Sequence, residues 1–321
     1  MVPKKLIAEL KKKNLKVFVV SAHVHLEGDA LGSELAVASL LRRMGKTVYC
    51  INDDEAPAEY LFMPGIRTIR RGTVFPPYDA AVLVDCSDAS RIGKLSRSIR
   101  KDKPLINIDH HISNTRFGSM NWVNPKASCA SEMVYQLFEA LDVRLSRPEA
   151  ILLYTGILAD TGSFRYASTS AETHRVAAHL LEFGVDVYGI YQRLYENFSY
   201  ETVKALGGIV RGMRRDRTGK VAWVQVPAAL GKKYPVLSEQ TDEIIRFARA
   251  VSGVEVALLF KEIERGREVR VNFRSRGRVD VNALAHGFGG GGHRMASGCT
   301  LRGALKGVIA KVVAAAARRC P

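Results

Sequence analysis

The 321-residue sequence contains no Cys-x-x-Cys pair; its five cysteines, Cys50, Cys86, Cys129, Cys299 and Cys320, are odd in number and scattered. That excludes a secreted disulfide framework and points to a reducing compartment, the cytoplasm. No apolar run approaches the roughly eighteen residues of a membrane span, so no membrane association is expected. The Lys-rich stretch 1–16 carries Glu9 and lacks an apolar core with a cleavage site, and reads as a surface helix rather than a targeting signal. There is no internal repeat and no low-complexity linker. Acidic residues are in deficit: 32 Asp+Glu stand against 48 Lys+Arg, a formal net charge of +16. A pI near 9.8 predicts a surface that attracts polyanions, whether nucleic acid, nucleotides or phosphorylated metabolites. Hydrophobic residues at 47% and charged residues at 25% exclude a disordered or collagen-like chain. The length suits two domains.

The first half alternates short apolar runs with helical spacing. Strands are expected at 17–20, 48–51, 81–84 and 105–108, with helices at 30–44, 131–141, 148–158 and 171–183. The alternation predicts an α/β domain built on a parallel sheet with helices on both faces. Residues 187–214 are helical and mixed, and read as a connector; the expected division is 1–187, a connector over 188–215, and a smaller α/β domain over 216–321. In that second domain, 221–226 and 254–260 look like strands around a helix at 240–251, and 305–319 is an Ala/Val-rich helix. Residues 268–274 alternate cleanly, with Val269, Val271 and Phe273 on one face and Arg270, Asn272 and Arg274 on the other.

Carboxylates and imidazoles concentrate in four segments, three of them just after expected strands: His23 to Asp29, Asp85 to Asp88, Asp109-His110-His111, and Asp160-Thr161-Gly162. In a parallel sheet ligands sit beyond the carboxyl ends of the strands, so His23, Asp85 and His110 are expected to converge. Singly, an Asp or His after a strand is a cap or a hydrogen-bonded loop residue. Several carboxylates at one edge repel one another unless a cation neutralises them. Mixed oxygen and imidazole donors suit Mn²⁺ first, with Mg²⁺, Fe or Zn²⁺ as alternatives. There are more donors than one metal needs; two ions about 4 Å apart, sharing a carboxylate, would activate water and clamp a phosphoryl group. Asp85 is the expected bridge.

Asp109-His110-His111 after an apolar run, His23-x-x-x-Glu27-x-Asp29 upstream and Asp160 downstream resemble the DHH phosphoesterase superfamily. Gly289-Gly-Gly-Gly-His293 followed by Ala296-Ser-Gly298 resembles the signature of the DHH-associated C-terminal domain. Order, spacing and length are similar to the small two-domain, NrnA-type nanoRNases and phosphodiesterases. The resemblance implies cleavage of short oligoribonucleotides or linear dinucleotides to nucleoside monophosphates, with some members acting on cyclic dinucleotides or 3′-phosphoadenosine 5′-phosphate. It implies His23, Glu27 and Asp85 as ligands of one metal and Asp29, Asp85, His110 and Asp160 as ligands of the second. It sets His111 near the scissile phosphate, and gives Arg91 a structural or phosphate-facing role. His25, Leu26 and Glu27 stand where the family commonly has Asn, Pro and Asp. Glu27 is one methylene longer than Asp but remains an oxygen ligand.

In the second domain, four successive glycines let backbone N–H groups approach phosphate oxygens, so Gly291, Gly292 and His293 are substrate-binding candidates. Six arginines fall between Arg265 and Arg278. Usually such a run is a solvated face, but the alternation aims Arg270 and Arg274 the same way, and guanidinium binds phosphate bidentately or stacks on a base. The resemblance implies that the Arg274-Ser275 pair holds substrate. Two rival readings use the same residues: a processive single-strand exonuclease, and a nucleotide- or RNA-binding regulator with an altered first metal loop. The expected partner is short RNA or a dinucleotide; the oligomeric state is left open, a homodimer included.

Overall fold

The computed structural model describes residues 1–321 except Val236, 238–240 and Arg265, and the side chain of Asp242. The expected helix start at Gln240 and the Arg265 member of the arginine run lie outside the described residues. The chain forms two units, Met1–Asn197 and Phe198–Pro321.

The first unit is built on six strands: β1 (Val17–Ser21), β2 (Thr47–Asn52), β3 (Ile69–Arg71), β4 (Ala80–Val84), β5 (Leu105–Asp109) and β6 (Met120–Val123). All pair in parallel, in the order β3-β2-β1-β4-β5-β6. The chain runs outward from β1 in one direction, then returns to start again at β4, so the switch point lies between β1 and β4. Successive side chains face opposite sides. Phe18, Val20, Val82, Ile106 and Ile108 join one core, packed by α1 (Lys4–Leu10), α2 (Gly28–Arg43), α3 (Ala130–Ala140), α4 (Arg147–Asp160), α5 (Ala171–Leu181) and α6 (Val187–Tyr195). Val19, Ala81, Leu83 and Leu105 form the other. Helices on both faces were expected. Among the described residues, that second face is covered instead by a 3₁₀ segment (Ala89–Ser98), through Ile92 and Leu95, and by Phe75 and Tyr78. The stretch 1–16 is not merely a surface helix: Val2, Leu6, Leu10 and Leu15 are buried in the first core.

Local signals start and stop the helices that matter. Glu27 caps α2 by accepting Ala30 N–H at 2.8 Å, and Gly45, at φ 79°, follows its end. Ser146 and Glu149 form a capping box at α4. The two helices pack backbone to backbone: a Cβ on Gly28 would meet Ala159 Cβ at 2.6 Å, and one on Gly32 would meet the Leu152 carbonyl at 2.5 Å. That close approach carries the start of α2, with Asp29, to the end of α4, with Asp160.

Glu34 of α2 is fully buried; its Oε2 accepts Asn52 Nδ2–H at 2.7 Å, while Oε1 has no partner. Burial pushes its carboxyl from 4.5 up to about 8. The folded state therefore holds a proton that the unfolded chain releases, so the stability it gives is complete below pH 4.5 and is lost as the pH rises through about 8. The slope is about 1.4 kcal/mol per pH unit. Glu34→Gln is predicted to melt with the wild type near pH 5 and above it at pH 8; equal melting at pH 8 would mean the carboxylate finds a partner on ionising.

The second unit opens with α7 (Tyr200–Arg211) and holds β7 (Arg214–Arg215), β8 (Val221–Val226), α8 (Ala228–Lys233), α9 (Thr241–Ala250), β9 (Val256–Glu264), β10 (Glu268–Ser275), α10 (Val281–His286), β11 (Gly291–Gly292), β12 (Ala296–Arg302) and α11 (Leu305–Ala317). The expected connector thus forms two helices, α6 in the first unit and α7 in the second. The sheet order is β11-β12-β10-β9-β8-β7, antiparallel except for β8 and β9. One face packs on α10 and α11 through Val269, Val271 and Phe273; the other packs α7 and α9 against β8 and β9.

Candidate metal centre

Three adjacent strands at the switch point, β1, β4 and β5, each end in a candidate side chain. His23 follows β1, Asp85 follows β4, and His110 and His111 follow β5, so β4 lies between its two partners in space as well as in sequence. Asp85 leaves its strand at φ 54°, a left-handed conformation that Asp tolerates better than most residues. The structure draws the expected ligands together. His23, Glu27 and Asp85 form one set of donor atoms within 4.8 Å of one another; Asp29, His110 and Asp160 form a second; Asp85, His110 and His111 form a third.

Asp85 is the hub. Its Oδ2 lies 3.1 Å from His23 Nε2, while His110 Nε2 and His111 Nδ1 each stand 3.5 Å from Oδ1. Oδ1 is buried and makes no hydrogen bond of good geometry. Burial opposes the charge on Asp85, yet the His110 and His23 imidazoles hold its carboxyl well below the usual range. His23 is oriented from behind: Nδ1 donates to Val24 O at 2.7 Å, which directs Nε2 at Asp85, the arrangement typical of metal-ligating histidines. His110 Nε2 is also 3.4 Å from Asp160 Oδ2.

Asp29 is fixed from a distant element. Its two oxygens accept the N–H groups of Ala130 (2.6 Å) and Ser131 (2.7 Å) at the start of α3. Burial, and then the charges of Asp85 and Asp160, nevertheless raise its carboxyl to about 7. Burial with Asp85, Asp29 and Asp160 raises Glu27 to about 8, and burial raises Asp160. Burial would lower His23, but Asp85 overrides it and raises the imidazole to about 9.

These observations test whether a cation belongs here. Carboxylates pushed toward their neutral forms, a buried orphan oxygen on Asp85, and donors of mixed oxygen and imidazole type all fit divalent metal. A pH dependence follows. Every raised group binds a proton in the folded metal-free protein that it would lose unfolded, so stability falls as the pH rises from about 5 through 7 to 8. A divalent ion that takes the proton's place is predicted to abolish that fall. Calorimetry in chelator and in Mn²⁺ across this range measures it, and a flat metal-free profile would contradict it.

The other expected residues are not members of these sets. His25 is exposed, with its ring 3.9 Å from Asp54, and Leu26 is buried in the core. Arg91 is exposed; its carbonyl accepts Val24 N–H at 2.7 Å and so ties the His23 loop to the 3₁₀ segment. In the second unit Arg270 and Arg274 share a face of β10, whereas Ser275 falls on the buried face, its Oγ accepting Gly277 N–H at 2.9 Å. Gly291 and Gly292 form β11 against β12, and a Cβ on Gly290 would strike Gly298 O. His293 is half-buried and closes a turn, its N–H donating to Ala296 O at 2.7 Å.

Sequence reasoning missed three contributors. Tyr60 packs its ring on Gly28, and burial followed by the Glu27 charge keeps its phenol well above its ordinary range. Asn107 and Asn114 bond to one another beneath Asp109. Asn114 stands three residues past His111, yet only the fold reveals its contacts.

Comparisons with known proteins agree with this architecture. The DHH family, N-terminal domain, matches residues 17–157, and the DHHA1 domain matches residues 235–320. A Thermus thermophilus protein named bifunctional oligoribonuclease and PAP phosphatase NrnA is 33% identical over 302 residues, 93% of this chain and 88% of that protein. A Bacillus subtilis protein of the same name is 27% identical, covering 88% of each chain. The crystal structure of an exopolyphosphatase-related protein from Bacteroides fragilis superposes with a TM-score of 0.87 at 24% identity, over 97% of this chain and 94% of that one. The last likeness concerns the fold; the Thermus relative and the matched domains settle kinship, and the chain belongs to the DHH family, with a DHHA1 domain in its second unit.

Proposed function

We propose that this chain is a two-metal phosphodiesterase that hydrolyses short oligoribonucleotides and linear dinucleotides to nucleoside monophosphates, with 3′-phosphoadenosine 5′-phosphate as a second substrate. The convergence of His23, Glu27, Asp29, Asp85, His110 and Asp160 at the switch point carries the reading. The names of the Thermus and Bacillus relatives support the substrate class. No helix among the described residues is long and apolar enough to cross a membrane, and all five cysteines are free, in keeping with a cytoplasmic enzyme.

His23 and Glu27 would hold one ion, Asp29, His110 and Asp160 the other, and Asp85 both; the donor set favours Mn²⁺. When bound, such ions supply positive charge to the phosphoryl oxygens and acidify an attacking water. The protein's own part is to position and to screen. His111 stands beside the cluster, its Nδ1 engaged by Asp109, and its imidazole is the group assigned to meet charge developing on the phosphate or the leaving oxygen. In the second unit, Arg270 and Arg274 on one face of β10 offer guanidinium groups to a phosphate or base, with the Gly291-Gly292-His293 turn as a further candidate contact, whereas Ser275 on the buried face is not a direct one.

Purified protein incubated with linear diadenylate and Mn²⁺ should release AMP, and 3′-phosphoadenosine 5′-phosphate should do the same. His110→Ala should abolish both. Undiminished turnover in that variant would refute the site, and binding of RNA without hydrolysis by metal-loaded protein would favour a regulator.

Glu27→Asp tests the unusual loop. An aspartate can still cap Ala30 and still offer an oxygen, so turnover is expected at or above about a third of the wild-type value, a change under ~1 kcal/mol. Complete loss would mean that the longer arm is matched to a rearranged site.

A further inference from the structure

His111 could join the metal ligands or stay out. Its Nδ1 lies 3.5 Å from Asp85 Oδ1, and the Asp85, His110 and His111 donors fall within 4.8 Å of one another. The same Nδ1 lies only 2.7 Å from Asp109 Oδ1. Asp109 is fully buried at the end of β5, and its other oxygen accepts Asn114 Nδ2–H at 2.6 Å. Asn114 Nδ2 also faces Asn107 Oδ1 at 2.8 Å and Cys86 O at 3.0 Å, while Asn114 Oδ1 accepts Arg116 N–H at 2.7 Å. Asn107, fully buried on β5, donates to Cys86 O at 3.0 Å, across to the end of β4. The chain of bonds runs from the residue after Asp85, through Asn107, Asn114 and Asp109, to the ring of His111.

We propose that Asn114 is a positioning residue: with Asn107 it fixes the plane of the Asp109 carboxylate, which claims Nδ1 of His111 and so keeps that ring out of the metal sphere and in the pose in which it serves the substrate. The inference rests on the reading of His111 given above. A buried carboxylate held by one imidazole and one amide partner can rotate once the amide is removed, and His111 then has Asp85 Oδ1 as its alternative neighbour. Misplacing a reacting group by about 1 Å costs up to about 100-fold.

The test is a double-mutant cycle on diadenylate hydrolysis with Mn²⁺. Asn114→Ala should lower kcat about 10- to 100-fold with KM within about threefold, because the ring is displaced rather than the substrate grip lost. In a His111→Ala background the same substitution should cost almost nothing further, since what it positions is already gone. A merely structural role would give losses that add. The Mn²⁺-induced rise in melting temperature should persist in Asn114→Ala. Where the alanine variant does not melt cooperatively, the isosteric Asn114→Leu, which cannot donate, carries the same cycle. Additive losses, or an unaffected Asn114→Ala beside a crippled His111→Ala, overturn this inference alone. Undiminished turnover in His111→Ala overturns the reading of His111, and this inference with it.

Discussion

Asp85→Asn is expected to reduce turnover by at least about 10³-fold, some 4 kcal/mol of transition-state stabilisation, while leaving the protein folded. The asparagine keeps the shape of the side chain, and Asn is among the residues that accept a left-handed φ such as the 54° found here. What disappears is the negative charge shared by His23 on one oxygen and by His110 and His111 on the other. An amide offers one neutral acceptor where a bridging carboxylate offers two anionic ones. Metal affinity should therefore fall together with activity. In wild-type protein, saturating Mn²⁺ should raise the melting temperature by mass action, and chelator should remove both that rise and the hydrolysis. In Asp85→Asn the rise should shrink or vanish. A variant that keeps the full metal-induced shift yet loses hydrolysis would move Asp85 from ligand to direct catalyst; one that keeps both would remove it from the mechanism.

The sheet was legible because buried parallel strands are short apolar runs, and 17–20, 48–51, 81–84 and 105–108 are such runs. Strand β3 was not: Ile69-Arg70-Arg71 is three residues long and has two exposed arginines beside one half-buried isoleucine, too little to show a pattern. Strand β6 was hidden for a similar reason, since only Trp122 of its four residues is buried. The convergence of His23, Asp85 and His110 could be read because a parallel sheet gathers the residues after its strands at one edge. The supports of the site could not. Asp29 meets the start of α3 across 101 residues of sequence, and Asn114 meets Cys86 across 28. Such contacts depend on helix packing and loop paths that leave no periodicity. Arg270 and Arg274 were placed on one face by the alternation of β10, and the same alternation puts Ser275 with the buried set. The adjacent pair in the sequence is therefore a split pair in the sheet.

Asp29→Ala is expected to do double damage, and the two losses separate by metal. Asp29 stands in the donor set with His110 and Asp160, so alanine should reduce Mn²⁺-dependent turnover by two or more orders of magnitude, about 3 kcal/mol or more. It also removes the acceptor for two N–H groups at the first turn of α3, at 2.6 and 2.7 Å, where a carboxylate is favoured by the helix dipole. Ala130 and Ser131 are buried, and no water reaches such donors easily, so each orphaned N–H costs about 1–3 kcal/mol. Against that stands the repulsion that alanine relieves, because Asp85 and Asp160 together with burial already push the Asp29 carboxyl up to about 7. The relief is greatest at alkaline pH without metal, where the wild type must bear the charge, and absent near pH 5, where the acid is neutral. The variant should thus melt below the wild type in Mn²⁺ at every pH, with the gap between the metal-free proteins narrowing from pH 5 to pH 8. Melting curves in chelator and in Mn²⁺ at those two pH values decide it. A gap that widens toward pH 8 in chelator would mean that the α3 amides outweigh the neighbouring carboxylates, and that Asp29 is an anchor for the helix before it is a seat for an ion.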